Sequence, residues 1–508
     1  MAPPGPDRGP APRPGRPLRI EPVEHPALPG RAGLARRTGL TRLAAPAVAA
    51  LLSLAVLATG CTGATVQGRP GASGLRDPYF PRAGNGGYQV EHYDLDLAYD
   101  PADGLLHATA VITARAEQGL SSFNLDLSGL KVESVDVQGT GARYNRTGNE
   151  LTVRPAKDLK KGEVFRTEID YGGRPKPVVD PDGSKEGWIA GGDGAVAVGE
   201  PVGSMGWFPG NHHPSDKATY DITVTVPHGY EAVSNGELRS RKEVADGQTE
   251  FAWHSPEPMA SYLATVAIGR FKVTTGRTPS GVPVYDAVAP GEAAGSEAAL
   301  GRLPQIVDWG TEKFGPYPFG SVGSIVMPAQ TLTYALETQT KPVYSGAPDE
   351  ELVLHELAHQ WFGDSVSPKS WKDMWLNEGF ATYAEWLWSE EHGGVSAQRR
   401  FDAFLAGDTS VDPHADGDWA AFPPASPPGP EHISDDPVYY RGAMVLHRIR
   451  QEVGDPAFFG LLRGWAADHR HGNASTADFT AYAQRRTGHD LKKVWDVWLY
   501  GEDRPTAP

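Results

Sequence analysis

The chain has 508 residues, of which 39% are hydrophobic and 22% are charged, proportions that are ordinary for globular proteins. This length predicts two or more domains with sizeable cores. The formal net charge of −16 argues against nucleic acid as a partner, and a single cysteine excludes an intrachain disulfide.

Residues 1–60 have the composition of a disordered leader followed by a signal peptide. Residues 1–30 are rich in Pro, Arg and Gly, which is typical of disorder. A basic region and an apolar run follow over 31–60, and this run is too short for a secure membrane span. Cys61 comes directly after the small residues that end the run.

The segment Leu-Ala-Thr-Gly-Cys at 57–61 resembles the signal of a bacterial lipoprotein. The resemblance implies cleavage before Cys61 and lipid on its thiol and amine. We therefore expect an exported protein that is anchored to the cell membrane and faces outside the cytoplasm, with a secreted protein as the alternative. Arg36 and Arg37 are compatible with twin-arginine export, and the sequence does not distinguish that route from general secretion.

Residues 61–86 are Gly-rich and are predicted to form a tether, after which strand patterns dominate. Residues 93–99 and 220–226 alternate between apolar and polar side chains with a period of two, as half-buried strands do. Asp180-Pro181-Asp182-Gly183 is a turn sequence between such segments. These patterns predict a largely antiparallel β domain over residues 87–290.

Over residues 291–508 the pattern changes to helices. The stronger candidates are 300–314, 350–362, 377–392, 438–453 and 456–470. Asp412–Pro437 is rich in Pro, Gly and Asp and is predicted to be a long loop, a class of segment that often forms lids or binding loops. The predicted fold class is therefore α+β, with an N-terminal antiparallel β domain followed by a mostly helical domain.

The most informative segment is His355-Glu356-Leu357-Ala358-His359, inside one of these predicted helices. Two histidines four residues apart lie one turn apart on the same face of a helix, so both imidazoles can reach one metal ion. The glutamate between them suits a general base acting on a water molecule that the metal activates. Catalytic zinc usually has three protein ligands, so a third ligand is expected elsewhere in the chain.

Glu378 is the candidate for the third ligand, because it lies near the start of the next amphipathic helix at a workable spacing from His359. Glu385 is two turns further along the same face of that helix. It is a candidate to orient a histidine ligand, because metal-bound imidazoles usually donate their other N–H to a carboxylate or carbonyl. For a buried glutamate in this second helix, the alternative role is a structural salt-bridge partner. The presence of both the His-Glu-x-x-His segment and this helix disfavours that alternative.

Residues 355–363 and 375–381 together resemble the zinc aminopeptidases of the aminopeptidase N type, a family that includes the leukotriene hydrolase. The resemblance implies one zinc ion per chain, held by His355, His359 and Glu378. It also implies Glu356 as the catalytic base.

The resemblance extends over about residues 85–508. It implies that the β domain is saddle-shaped and that residues 291–508 form a thermolysin-like metallopeptidase domain. Because little sequence follows residue 500, we expect the C-terminal domains of longer family members to be missing.

A peptidase that acts beside a free amino terminus needs an anion for the ammonium group, because desolvated ammonium is costly unless it is paired. Residues 333–340 resemble the family's Gly-Ala-Met-Glu-Asn strand, which implies that Glu337 binds substrate. Thr338 departs from that pattern. A second amine contact of the family falls on Glu200, whereas the family's glutamine falls on Val198, a residue that cannot bind an amine.

The oxyanion that forms during peptide hydrolysis needs a positioned donor, which is typically worth about a hundred- to a thousandfold in rate. Residues 437–442 resemble the family's Tyr-x-Lys-Gly element, with Arg441 in the place of the lysine. The resemblance implies Tyr439 as the catalytic tyrosine and leaves Tyr440 as the runner-up. Without it, the residues alone do not choose between the two rings, and both are compatible with core packing.

The resemblance thus implies a zinc-dependent aminopeptidase that hydrolyses the amino-terminal residue of peptides. The expected partners are peptides with a free amino terminus and, through the lipid anchor, the membrane; nucleic acid is not expected. A zinc endopeptidase and an epoxide hydrolase on the same scaffold are alternatives. An inactive surface-binding lipoprotein is the alternative from another class, and the intact His-Glu-x-x-His motif with Glu378 argues against it.

Overall fold

Strands fill the first half of the described chain and helices fill most of the second, as the sequence predicts. The computed structural model describes residues 68–192 and 194–506. The predicted leader and Cys61, the predicted site of lipid attachment, lie outside the described residues.

The strands alternate between buried and exposed side chains wherever one face of a sheet covers the core. In chain order they are β1 (Arg69–Pro70), β2 (Tyr88–Asp100), β3 (Leu105–Ala116), β4 (Leu120–Asp126), β5 (Lys131–Val137), β6 (Thr140–Gly141), β7 (Arg143–Thr147), β8 (Glu150–Arg154), β9 (Val164–Gly173), β10 (Pro177–Val179), β11 (Lys185–Gly191), β12 (Gly194–Val198), β13 (Lys217–Pro227), β14 (Glu231–Ser234), β15 (Glu237–Val244), β16 (Gln248–Ala260), β17 (Val266–Gly269), β18 (Lys272–Arg277), β19 (Pro283–Val288), β20 (Val322–Met327), β21 (Val343–Ser345), β22 (Ser367–Pro368) and β23 (Asn473–Ala474).

The largest sheet has eight strands in the order β15-β16-β13-β2-β3-β9-β5-β6. The two strands that the period-two pattern predicts, β2 and β13, lie side by side in its centre and run parallel, while their other neighbours are antiparallel. A five-stranded sheet, β10-β11-β12-β17-β14, carries the 180–183 turn and leads from β12 directly to Glu200. This smaller sheet therefore brings the β half of the chain to the predicted site.

The helical half contains every helix that the sequence predicts, with ends shifted by a few residues, and three further helices of eight or more residues at 293–300, 397–406 and 476–487. The helices are α1 (Ala293–Leu300), α2 (Leu303–Phe314), α3 (Glu350–Ala358), α4 (Trp375–Glu391), α5 (Ala397–Ala406), α6 (Gly442–Val453), α7 (Asp455–Asp468), α8 (Thr476–Thr487) and α9 (Lys492–Val494), with π-helical turns at Pro437–Arg441 and Trp495–Leu499. Within residues 68–192 and 194–506, no helix is long and apolar enough to cross a membrane.

Helix α3, which carries the His-Glu-x-x-His motif, has a well-defined start. The Asp349 carboxylate caps it by accepting a hydrogen bond from the Leu352 N–H at 2.9 Å, and Glu350 and Glu351 lie in the first turn. A capping carboxylate and acidic residues at this end stabilise a helix, because they satisfy free N–H groups and complement its dipole. The helix ends at Ala358, so His359 forms its last cap instead of lying inside it.

Contacts cross two of the predicted domain boundaries. Part of the predicted tether is packed on the protein, because β1 pairs with β4 and the Asp77 carboxylate accepts hydrogen bonds from the Ser370 hydroxyl and the Trp371 N–H. Strand β19 of the β half pairs in parallel with β20 of the helical half. Backbone hydrogen bonds therefore continue across the boundary predicted at residue 290.

Helices α4 and α6 approach each other through two glycines. A Cβ atom added at Gly442 would lie 2.9 Å from the Gly379 Cα atom, and one added at Gly379 would lie 2.8 Å from the Gly442 Cα atom. Gly379 directly follows the predicted ligand Glu378, and Gly442 follows the turn that carries Tyr439. Because neither glycine has a side chain, the two helices can approach closely and bring the predicted site residues Glu378 and Tyr439 together.

We expect Gly442→Ala to lower the free energy of unfolding by about 1–3 kcal/mol, because the added methyl group would force α6 away from α4. Gly460→Ala is the matched control, since a Cβ atom at that position of α7 meets nothing within 4 Å and alanine favours a helix. Calorimetric melting should give a lower midpoint for the first variant and an equal or higher one for the second. An unchanged midpoint for Gly442→Ala would contradict the close-contact argument.

Candidate active site

The three predicted metal ligands converge where α3 packs against α4. The Nε2 atoms of His355 and His359 lie 3.3 and 3.4 Å from Oε2 of Glu378. All three side chains are buried, and their ligand atoms lie within 4.8 Å of one another. The helix spacing thus brings two imidazoles and one carboxylate to a single point, as the sequence predicts.

This arrangement fits a zinc ion. Zinc bonds of about 2.0–2.1 Å in a tetrahedral site would place neighbouring ligand atoms about 3.3 Å apart. The observed separations of 3.3 and 3.4 Å between the histidine nitrogens and the Glu378 oxygen agree with that value. Two histidines and one carboxylate are also a ligand set of catalytic zinc, with a fourth position left for reactants. The donor set and its spacing therefore suit one zinc ion per chain.

The other ring nitrogens of both histidines have protein partners. His355 Nδ1 lies 2.5 Å from Oε1 of Glu385, the residue proposed from the sequence for this position. His359 Nδ1 lies 3.1 Å from the main-chain carbonyl oxygen of Phe362. These contacts place the proton on Nδ1 and leave Nε2 free to bind a metal. The sequence does not indicate the Phe362 contact, because every residue has a carbonyl group.

Glu356 lies beside the ligands and is only 4% exposed. It lines a cavity of 250 Å³ together with His355, His359 and Glu378. Burial raises the pKa of the Glu356 carboxyl above its ordinary value. A raised pKa suits a carboxylate that must both accept and return a proton near neutral pH.

Glu337 and Glu200 complete a cluster of carboxylates. Oxygen atoms of Glu200, Glu337 and Glu378 lie within 4.8 Å of one another. The Oε1 atoms of Glu200 and Glu337 are buried, and neither has a hydrogen-bond partner among the described residues. Burial, and then the charge of Glu337, raise the pKa of Glu200 well above its ordinary value. Buried carboxylates this close together are stabilised by a cation between them.

The segment around Glu337 is held in place from α3. It forms an isolated bridge between Leu336 and Val343 instead of an extended strand. The Gln360 side chain donates to the Glu337 carbonyl at 3.2 Å and accepts from the Thr340 N–H at 2.8 Å. At 3% exposure, Glu337 is buried, unlike a carboxylate on an exposed edge strand.

The two adjacent tyrosines have different surroundings. The Tyr439 ring stacks on His355 with ring centroids 6.1 Å apart and planes 19° apart, and it lines the cavity that contains the ligands. Tyr440 instead stacks on Phe404 and His414, with centroids 5.1 and 4.8 Å away. The π-helical turn over Pro437–Arg441 sets these directions. Of the two rings, that of Tyr439 therefore lies against the ligand His355, at the position that the resemblance implies for the catalytic tyrosine.

Arg441 is fully buried and supports this turn. Its guanidinium donates to the carbonyl oxygens of Trp498, Phe422, Val497 and Gly501 at 2.5–3.2 Å. The arginine thus ties the turn of Tyr439 to the long loop and to the end of the helical half. Sequence reasoning did not find this role, because its partners are main-chain atoms.

A second cavity of 550 Å³ is also lined by Glu356. It shares Tyr334, Ala335, His355, Glu356 and Tyr439 with the first cavity, so the two adjoin at the ligands. Only the smaller one is lined by Glu200 and Glu337. Glu200 and Glu337, the carboxylates predicted to bind the amine (the amine carboxylates), therefore mark one side of the site. The larger cavity forms the other side.

Known proteins share both halves of this architecture. Residues 89–263 match the peptidase M1 N-terminal domain, and residues 319–498 match the peptidase family M1 domain. Glutamyl aminopeptidase of Bos taurus is 27% identical over 323 residues, which are 59% of this chain and 33% of that protein. Aminopeptidase M1 of Arabidopsis thaliana is 28% identical over 343 residues, which are 62% of this chain and 37% of that protein. The chain spans about a third of the length of such relatives.

One solved structure is similar to a larger share of this chain than these two relatives are. The M1 zinc metallopeptidase of Deinococcus radiodurans is 30% identical, with a TM-score of 0.78 over 86% of this chain and 98% of that chain. A mutant of the Deinococcus enzyme bound to a Tyr-Ser-Ala substrate matches equally well. Two family domains in the right order, nearly full coverage of this structure and a complete set of zinc donors agree, and the chain therefore belongs to peptidase family M1.

Proposed function

We propose that this protein is a zinc-dependent aminopeptidase that removes the amino-terminal residue from peptides with a free amino group. The observation that carries the proposal is the pair of buried, unpartnered carboxylate oxygens of Glu337 and Glu200 beside the metal ligands. An ammonium group would supply the cation that this pair lacks. A substrate held there by its amino terminus would present its first peptide bond to Glu356.

The zinc ion, when bound by His355, His359 and Glu378, would act as a Lewis acid that polarises the scissile carbonyl and lowers the pKa of water. In the proposed mechanism, Glu356 accepts the proton of the attacking water and then delivers it to the leaving amine. The Tyr439 hydroxyl donates a hydrogen bond to the oxyanion as it develops.

The two alternatives on the same scaffold receive less support. An endopeptidase must accommodate chain on both sides of the cleaved bond, whereas Glu200 and Glu337 occupy one side of this site. No described feature favours an epoxide over a peptide. An acidic amino-terminal side chain is disfavoured, because acidic groups line the cavity beside Glu200 and Glu337.

A reporter panel tests the proposal. The wild-type protein should hydrolyse leucyl substrates with a free amine at least about 100-fold faster than their N-acetyl forms, because the acetyl group removes the charge that Glu337 pairs with. Glu337→Gln should lower kcat/KM for the free-amine substrate by about 100-fold or more. Glu312→Gln, an exposed carboxylate on α2, serves as the control. Equal hydrolysis of free and acetylated substrates would point to an endopeptidase instead.

Replacement of each tyrosine distinguishes an oxyanion donor from a packing residue. Tyr439→Phe should lower kcat by about 100- to 1,000-fold with little change in KM, because the lost hydrogen bond forms only in the transition state. Tyr440→Phe is the matched control and should retain nearly full activity, since its ring packs on Phe404 and His414. A raised KM with normal kcat in Tyr439→Phe would contradict the assignment.

We further propose that the protein is exported and anchored to the membrane by lipid on Cys61, on the support of the sequence pattern alone. Cys61→Ala should move the protein from the membrane fraction to the soluble fraction, because the thiol that carries lipid is lost. Fractionation of cells washed with carbonate, with labelled fatty acid as a tracer, measures this. Retention of Cys61→Ala in membranes would refute the anchor, and release of the wild-type protein would favour secretion.

A further inference from the structure

The Asp180-Pro181-Asp182-Gly183 turn lies beside the amine carboxylates. It joins β10 to β11 and is fixed by its own hydrogen bonds. The Asp180 N–H donates to the Ser184 carbonyl at 3.0 Å, and the Ser184 N–H donates to the Asp182 carboxylate at 2.7 Å. The Tyr334 hydroxyl donates to the Lys185 carbonyl at 3.3 Å, which links this hairpin to the segment that carries Glu337.

Asp180 carries a buried carboxylate oxygen and lies at the lining of the cavity. Its side chain lines the 250 Å³ cavity, and the residue is only 9% exposed. Its Oδ1 atom is buried and has no hydrogen-bond partner among the described residues. Burial, and then the charge of Asp182, raise the pKa of Asp180 to about 7. A buried carboxylate of this kind is stabilised when a cationic group enters beside it.

The other walls of the cavity have roles already. Glu200 and Glu337 are placed for the amino group, and the three zinc ligands with Glu356 face the first peptide bond. The residues that remain for the side chain of the amino-terminal residue are Pro201, Tyr334, Ala335 and Leu336, and a polar wall of Asp180, Asp182, Ser184 and Ser434. The volume of 250 Å³ lies below the roughly 300–1,000 Å³ of pockets for drug-sized ligands, and it suits one amino-acid residue.

The charge of this wall selects among side chains. Among the described residues that line the cavity, none is a lysine or arginine, whereas Asp180 and Asp182 add two acids to those of the catalytic site. A glutamate side chain would be repelled, and a neutral one would leave Asp180 unpaired. A lysine or arginine side chain would bring the missing cation, and a guanidinium can bind a carboxylate through two hydrogen bonds.

We propose that Asp180, supported by Asp182, binds the cationic side chain of the amino-terminal residue, so that peptides beginning with arginine or lysine are the preferred substrates. This specificity rests on the proposed aminopeptidase function. It assigns a second anionic site, separate from the carboxylates that hold the amino group.

Arginine and citrulline give the sharpest test, because they have nearly the same shape and differ in charge. The wild-type protein should have a kcat/KM about 10- to 100-fold higher for an arginyl reporter than for the citrullinyl one. Asp180→Asn should bring this ratio close to one and leave hydrolysis of a leucyl reporter within about threefold of wild type. Asp103→Asn is the control, since this aspartate lies in an exposed turn away from the cavity and its carboxylate accepts from the Leu105 N–H.

Three outcomes would overturn the proposal: equal wild-type rates for arginyl and citrullinyl substrates, an unchanged ratio in Asp180→Asn, or an equal loss for the leucyl substrate. If calorimetry shows that Asp180→Asn is unfolded, competition by free L-arginine and L-citrulline against the wild-type protein decides. Stronger inhibition by arginine supports the site, and equal inhibition refutes it. Failure of the wild-type protein to hydrolyse even the leucyl reporter would refute the aminopeptidase function, and calorimetric binding of the two amino acids would still test Asp180.

Discussion

An excess of buried negative charge governs the site of this protein. Glu337, Glu356 and Glu378 are at most 4% exposed, and Glu200 directs a buried oxygen to the same place. Among the described residues, no lysine or arginine lines the cavity that they share. Carboxylates brought together in a poorly solvated space repel one another and are stable only with cations or protons. Positively charged groups therefore stabilise this site, and a metal ion and the substrate can supply them.

The scaffold can hold such a cluster because its supports are rigid and lie outside it. The glycine contact between α4 and α6 fixes the distance between the ligand Glu378 and the turn of Tyr439. Gln360, one residue beyond the motif, holds the backbone of the Glu337 segment through both ends of its amide. Arg441 binds four main-chain carbonyls. The glycines and the Gln360 amide are neutral, and the Arg441 guanidinium is cationic. These supports therefore hold the carboxylate cluster in place without adding negative charge to it.

The sequence could predict those parts of the molecule that depend on local spacing. The i,i+4 histidines, the helix around them and the alternating strands β2 and β13 are of this kind. The parallel pairing of β2 with β13 was not predictable, because it joins segments far apart in the chain. The choice of Tyr439 over Tyr440 required the resemblance, since a π-helical turn determines which ring faces the ligands. Glu337 and Glu200 likewise needed the resemblance, whereas Asp180 was visible only as part of a turn.

In the proposed mechanism, the number of charged groups in the site links the amino group of the substrate to the base Glu356. Glu200, Glu337, Glu356 and Glu378 carry four negative charges when all are ionised, while a zinc ion and a substrate ammonium together bring three positive charges. For these four carboxylates alone, the charges balance when one of them is protonated, and burial raises the pKa of Glu356. Transfer of a proton to Glu356 would therefore relieve the repulsion among the carboxylates that the zinc ion and the substrate ammonium do not balance. In the proposed mechanism, a substrate without its ammonium group would lose this compensation, so recognition of the free amino terminus would be coupled to the proton transfer.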